Sequence, residues 1–239
     1  MRFDLVMFDL DGTLVETGPE IAEATNATLR EFAWPEADPK RIEAWIGHGT
    51  QELLVEAVAA ATALPCARVR CAGWMPDVAA AFDRHYAARC GTLSRPYPGA
   101  RDLLEHLRTL GVRLAVITNK ERRFADAVLE AHGLAPLLSC VIGGDTLARK
   151  KPDPAGIAVC LSRFGVPRRQ ALFVGDSAID AATARNAGVE VWLLAHGYNQ
   201  GRPLAEAHPD RVVSGFAELA AFLDLSPIRP GAPAQESIG

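Results

Sequence analysis

Two carboxylates, Asp9 and Asp11, close the apolar run that begins at Phe3, in the string Phe8-Asp9-Leu10-Asp11-Gly12-Thr13-Leu14. Alternate side chains of an extended chain share a face, so both acids are expected on one side while Leu10 points away. Such a pair can bind a hard cation, carry a proton or attack an electrophile. Three later apolar runs are also followed by polar residues: Thr118-Asn119 after the first, Lys150-Lys151 a little beyond the second, and Asp176 with Ser177 and Asp180 after the third. Hydroxyl and lysine side chains suit a phosphate, and a second carboxylate suits a shared metal ion. Each motif alone has a plain structural alternative. Thr118-Asn119 can cap a helix, and Ser177-x-x-Asp180 has the spacing of a capping box. The lysine pair could be solvated loop charge, but the chain has only four lysines beside 21 arginines, and two of them adjoin here before a proline.

The elements that must position these residues can be read from hydrophobic period. Residues 3–8 predict a buried strand that breaks at Gly12. Thr17-Gly18-Pro19-Glu20 has capping-box spacing, and Ile21, Ala24, Thr28, Leu29 and Phe32 predict a helix over 19–33. Two more helical patterns follow, around Leu53–Val58 and Val78–Tyr86, and no strand is expected between 15 and 95. From Tyr97-Pro98-Gly99 onward the chain alternates. Helices are expected over 99–110 and 122–132, near 157–164 and up to Gly188, and strands over 112–117, 138–142, 171–175, 189–194 and 211–213. The fold class is therefore α/β, a doubly wound parallel sheet built from residues 1–14 and 96–225, with a helical insertion over 15–95. The tail, 226–239, is expected to be disordered. In open parallel sheets ligands bind beyond the carboxyl ends of the strands, where the polar motifs fall.

Composition narrows the function classes. The 239 residues are 49% hydrophobic and 23% charged with a net charge of −4, which supports a folded core and gives no basic footprint for nucleic acid. Five cysteines without a C-x-x-C pair indicate neither a disulfide framework nor a zinc site. No run of about 18 apolar residues is present to cross a membrane. A cytoplasmic protein, monomeric or homodimeric, is expected.

Together the strings FDLDGTL, ITN, KKPDP and VGDSAID resemble, in order, the four motifs of the haloacid dehalogenase superfamily of phosphohydrolases, over about residues 1–225. The insertion resembles the helical cap of one branch. The strings AWIGHGT, YPGARDLL, VIGGDTL and GYNQGRPL are most similar to the phosphoglycolate phosphatase group. This resemblance implies a Rossmann-like core and a small phosphorylated substrate, most directly 2-phosphoglycolate, with sugar phosphates or another small monoester as the alternative and a silent scaffold as the competing class. It implies Mg²⁺, with Mn²⁺ also open, held by Asp9, Asp176 and the backbone carbonyl of Asp11. Asp9 would be the nucleophile and Asp11 the acid and base. Thr118, Asn119 and Lys151 would hold the phosphoryl group, while Asp180, beside Ser177, would orient Lys151. In the loop Trp45–Thr50, Gly47 and His48 are expected to contact the substrate, with His48 standing where the group's Asn is expected. Glu16 likewise replaces an Asp. His196 and Asn199 are read as structural.

Overall fold

Leu5–Phe8 (β1) are apolar and all four are buried, as a strand covered on both faces requires. In the computed structural model, which describes residues 2–223, β1 is a central strand of a six-stranded sheet. The chain continues through β2 (Val15–Glu16) into five helices, α1 (Gly18–Glu31), α2 (Pro39–Glu43), α3 (Thr50–Thr62), α4 (Cys66–Arg70) and α5 (Met75–Ala87), and returns at β3 (Arg95–Pro96). It then alternates through α6 (Ala100–Thr109), β4 (Arg113–Ile117), α7 (Arg122–Ala131), β5 (Cys140–Ile142), α8 (Ala155–Phe164), β6 (Ala171–Gly175), α9 (Ala178–Ala187), β7 (Glu190–Leu194), β8 (Arg211–Val213) and α10 (Phe216–Phe222). The expected tail, 226–239, lies outside the described residues.

The strands run β5-β4-β1-β6-β7-β8, every neighbouring pair parallel. The chain is wound outward from β1 through β4 and β5, then in the other direction from β6. The crevice of a doubly wound sheet therefore opens at the carboxyl ends of β1, β4 and β6. Alternation within β1 feeds both faces. Val6 and Phe8 join Leu103, Leu107 and Val128 on the α6, α7 and α10 side, whereas Leu5 and Met7 join Ile157 and Ala181 on the α8 and α9 side. No helix among the described residues is long and apolar enough to cross a membrane.

The five inserted helices bury a cluster of their own, including Ile21, Leu54, Val58, Val78, Phe82 and Tyr86, touched from the other side by Phe124 of α7. The insertion is not free of strand, contrary to expectation. Val15 pairs with Pro96 and Glu16 with Arg95 in an antiparallel ribbon where the chain leaves and re-enters the sheet region. Two residues a side are too few to carry a period, and a proline argues against a strand.

The capping box expected at Thr17 and Glu20 is also absent. Thr17 donates its hydroxyl to Asp11 Oδ1 at 2.7 Å and makes no side-chain cap. Glu20 is fully buried beside the ribbon and accepts from Tyr86 Oη (2.9 Å) and from the backbone N–H of Gly91 (2.9 Å) and Ser94 (3.1 Å). Tertiary partners outcompete the local cap because a buried carboxylate needs several donors to offset its lost hydration. Glu20 thereby ties α1 to α5 and to the segment leading into β3.

Candidate active site

Asp9 follows β1 directly, and its backbone N–H continues the ladder to Val174 O at 2.9 Å. The carboxylate is thus delivered at a fixed height above the sheet. Asp176 follows β6, the neighbour of β1, one residue further along the register than Asp9. Carboxylate oxygens of Asp9, Asp176 and Asp180 lie within 4.8 Å of one another, all buried. Among them sits one ammonium: Lys151 Nζ is 2.8 Å from Asp9 Oδ1 and 2.7 Å from Asp180 Oδ1, its side chain 2% exposed.

Asp180 serves two purposes. Its Oδ1 holds Lys151, while Oδ2 accepts from the N–H and hydroxyl of Ser177 (3.1 and 2.7 Å) and from the N–H of Asp176 (3.1 Å). It is both the reciprocal half of a capping box at α9 and the anchor of the lysine. Gly175 makes this possible, since a Cβ there would meet Asp180 at 2.3 Å. Asp176 is oriented by the Thr13 hydroxyl at Oδ1 (2.6 Å) and by the Tyr198 N–H at Oδ2 (2.6 Å). Tyr198 is a contact that the sequence reading missed, although it lies in the GYNQGRPL string. His196 stacks on Tyr97 at 3.8 Å, and Asn199 accepts from the N–H of Gly201, both in structural roles.

Electrostatics follow from three carboxylates facing one ammonium. Burial, opposed by Lys151 and reinforced by Asp180, pushes Asp9 up to about 7. Burial, together with the charges of Asp180 and Asp9, raises Asp176 well above the usual carboxylate range. Burial also works against the Lys151 ammonium, but Asp180 and Asp9 outweigh it and push its pKa up, so Lys151 stays charged. The excess of anionic oxygen is what a hard divalent cation neutralises, and the cluster contains no His or Cys that would favour zinc. Asp9 Oδ1 is buried and has no aligned hydrogen-bond donor, its contact with Lys151 being an ion pair. Both observations fit Asp9 and Asp176 as ligands. Asp180 fits less well, because its Oδ1 is taken by the Lys151 ammonium and its Oδ2 by three donors, whereas each Asp176 oxygen accepts only one.

Asp11 turns toward the insertion. Its carboxylate accepts from Thr17 and lies 3.1 and 3.2 Å from Lys120 Nζ. Thr118, nearly fully buried, accepts from the Lys120 N–H at 3.2 Å and keeps its own hydroxyl proton free to donate. Asn119 commits its amide protons to Gly47 O (3.0 Å) and Lys151 O (3.1 Å), so its side chain joins two loops instead of presenting donors to the cavity. The narrow cavity between insertion and sheet, about 40 Å³, is lined by Asp9, Asp11, Thr118, Asn119, Lys120 and Gly47 with an apolar wall opposite. Gly47 lines this cavity. The exposed His48 does not line it and instead borders a separate depression beside Trp45, Glu52 and Glu56. Its carbonyl accepts from Lys150 Nζ at 2.7 Å, so His48 meets the sheet domain through backbone. Lys120 was missed as a site residue, although its place directly after Thr118-Asn119 was a usable signal.

Known proteins resemble this chain over most of its length. A phosphoglycolate phosphatase of Pseudomonas savastanoi pv. phaseolicola is 40% identical over 219 residues, covering 90% of this chain and 78% of that protein. One from Haemophilus influenzae (strain 86-028NP) is 38% identical over 222 residues, covering 93% and 99%. The crystal structure of a predicted phosphoglycolate phosphatase from Haemophilus somnus superimposes with a TM-score of 0.88 at 34% identity, covering 93% of this chain and 99% of that one. Residues 6–194, which carry every motif from Asp9 to Asp180, match the model of the haloacid dehalogenase-like hydrolases, and to that family this chain belongs.

Proposed function

We propose that this chain hydrolyses small phosphate monoesters through a phosphorylated aspartate, with 2-phosphoglycolate as its substrate. The observation that carries the reading is the buried Asp9 carboxylate, open to the cavity, with Lys151 against one oxygen and Asp176 beside it. The names of the relatives at about 40% identity support the substrate.

Asp9 and Asp176, with the Asp11 carbonyl that the resemblance implies, would hold Mg²⁺. When bound, the ion supplies the positive charge that lets an anionic nucleophile approach a dianion, against a like-charge cost on the order of 4 kcal/mol per pair. An Asp9 oxygen attacks phosphorus, and the bond from phosphorus to the leaving oxygen breaks. Lys151 and the Thr118 hydroxyl bind the non-bridging oxygens, and Asp180 keeps Lys151 from turning away. Asp11 gives a proton to the leaving oxygen, then takes one from the water that attacks the phosphoaspartate. The products are an alcohol, inorganic phosphate and free Asp9.

The shape of the cavity favours a short substrate. About 40 Å³ is room for only a few water-sized groups, and Ile21, Ile46, Leu53 and Phe82 on its wall offer no partners to the hydroxyls of a sugar. Release of phosphate from 2-phosphoglycolate, a hexose phosphate and a triose phosphate with Mg²⁺ tests the reading. We expect the highest kcat/KM for 2-phosphoglycolate. Equal values for a sugar phosphate would remove that substrate but leave the phosphatase, and no Mg²⁺-dependent release from any of them, or from p-nitrophenyl phosphate, would leave a scaffold.

A further inference from the structure

We propose that Lys120 reads the second anionic end of the substrate, the carboxylate of a small phosphorylated acid. The inference rests on the phosphatase reading above and assigns a specificity residue within it. Lys120 supplies the one cationic side chain among the described residues that line the cavity, and it is only 6% exposed. The other buried ammonium, Lys151, is spent on Asp9 and Asp180 at the phosphoryl end. Lys120 points the other way. Its Nζ lies 4.6 Å over the ring of Tyr86 on α5, at the end of the cavity formed by the inserted helices. Lys151 thus serves the Asp9 cluster, while Lys120 lines the cavity itself between Asp11 and Tyr86.

Its position is fixed from behind. The Lys120 N–H donates to Thr118 Oγ1, and its carbonyl accepts from the Gly144 N–H at 2.7 Å. Gly144 permits that approach, because a Cβ there would meet Asn119 O at 2.3 Å. An ammonium has three protons, and the Asp11 carboxylate engages at most two of them, one to each oxygen. At least one donor remains for a ligand. A carboxylate entering a wall of Ile21, Ile46, Leu53 and Phe82 needs a cation to offset its lost hydration, and a neutral group of the same shape does not. Lys120 therefore favours a charged substrate over its neutral isostere.

Two probes of nearly equal shape isolate that charge: 2-phosphoglycolate and 2-phosphoglycolamide. The wild-type protein is expected to prefer the acid over the amide in kcat/KM by roughly 10- to 100-fold, the worth of one charge-assisted hydrogen bond. In Lys120→Met that preference should vanish, whatever happens to the two rates separately once Asp11 loses its partner. A residue that merely positions Asp11 would lower both rates together and leave their ratio unchanged. An unchanged ratio in Lys120→Met therefore overturns the assignment while the substrate reading stands. Absence of any acid preference in the wild type overturns both. Lys120→Gln, which keeps the length and a polar end, gives the same comparison should Lys120→Met not fold.

Discussion

Asp9→Asn is expected to lower phosphate release by roughly 10⁴-fold or more while making the metal-free protein more stable near pH 8. The loss of activity follows because an amide cannot form the phosphorylated intermediate. The gain in stability follows from the electrostatics. The Asp9 pKa is about 7 in the folded protein against an ordinary value of 3.8, burial being the main cause. Below about pH 4 both states hold the proton and the fold is not penalised. Between about pH 4 and 7 the folded state keeps a proton that the unfolded state releases, so stability falls as pH rises. Above about 7 the folded protein bears the full cost of a buried charge.

Asn is neutral throughout and removes that cost, on the order of 4 kcal/mol, or roughly 10 °C in Tm for a chain of this size. Thermal melts of both proteins without metal, near pH 4 and pH 8, should differ only at the higher pH. Mg²⁺ should then raise the Tm of the wild type more than that of the variant, since binding to the folded state stabilises it by mass action. Near-normal turnover in Asp9→Asn would exclude Asp9 as nucleophile, and equal melts near pH 8 would contradict the account of its charge.

Lys151→Met removes the only ammonium from the cluster and leaves Asp9, Asp176 and Asp180 facing one another. Breaking a buried pair at one partner strands the other charge, at a cost of about 3–5 kcal/mol. A Tm fall of roughly 10 °C is expected near pH 8, together with loss of phosphatase activity. The fall should shrink toward acid pH as Asp9 takes up its proton. Combined with Asp9→Asn, the lysine substitution should cost less than in the wild type, because the two side chains touch and one of the repelling charges is gone. Melts of the two single variants and the double variant measure this. Strictly additive effects would mean that the Asp9–Lys151 contact contributes nothing.

The motifs were legible because each follows a place where an apolar run stops. Asp9, Thr118 and Asp176 all stand directly after strands that the sequence indicates, and parallel pairing brings the ends of β4, β1 and β6 side by side. What was not legible depends on partners remote in the chain. Lys120 gains its meaning from Asp11 and from Tyr86, neither of them near in sequence. Thr17 and Glu20 have the right spacing for a local cap, yet Asp11 claims one and the Tyr86, Gly91 and Ser94 donors claim the other. The direction of His48 is set by Gly47 and Gly49, at φ values of 119° and 89°, which turn its carbonyl to Lys150 and its ring away from the cavity. Sequence placed those two glycines in a loop; only the turned backbone decides which way the residue between them faces.

Asp9 is expected to carry the phosphoryl group during turnover. Acid quenching of the wild-type protein as it hydrolyses phosphoryl-labelled 2-phosphoglycolate with Mg²⁺, followed by peptide mapping, reveals whether it does. Label is expected on the peptide that contains Asp9, removed by hydroxylamine and absent when the metal is chelated. Steady release of phosphate with no label on Asp9 at any quench time, or with label on a different residue, would contradict it.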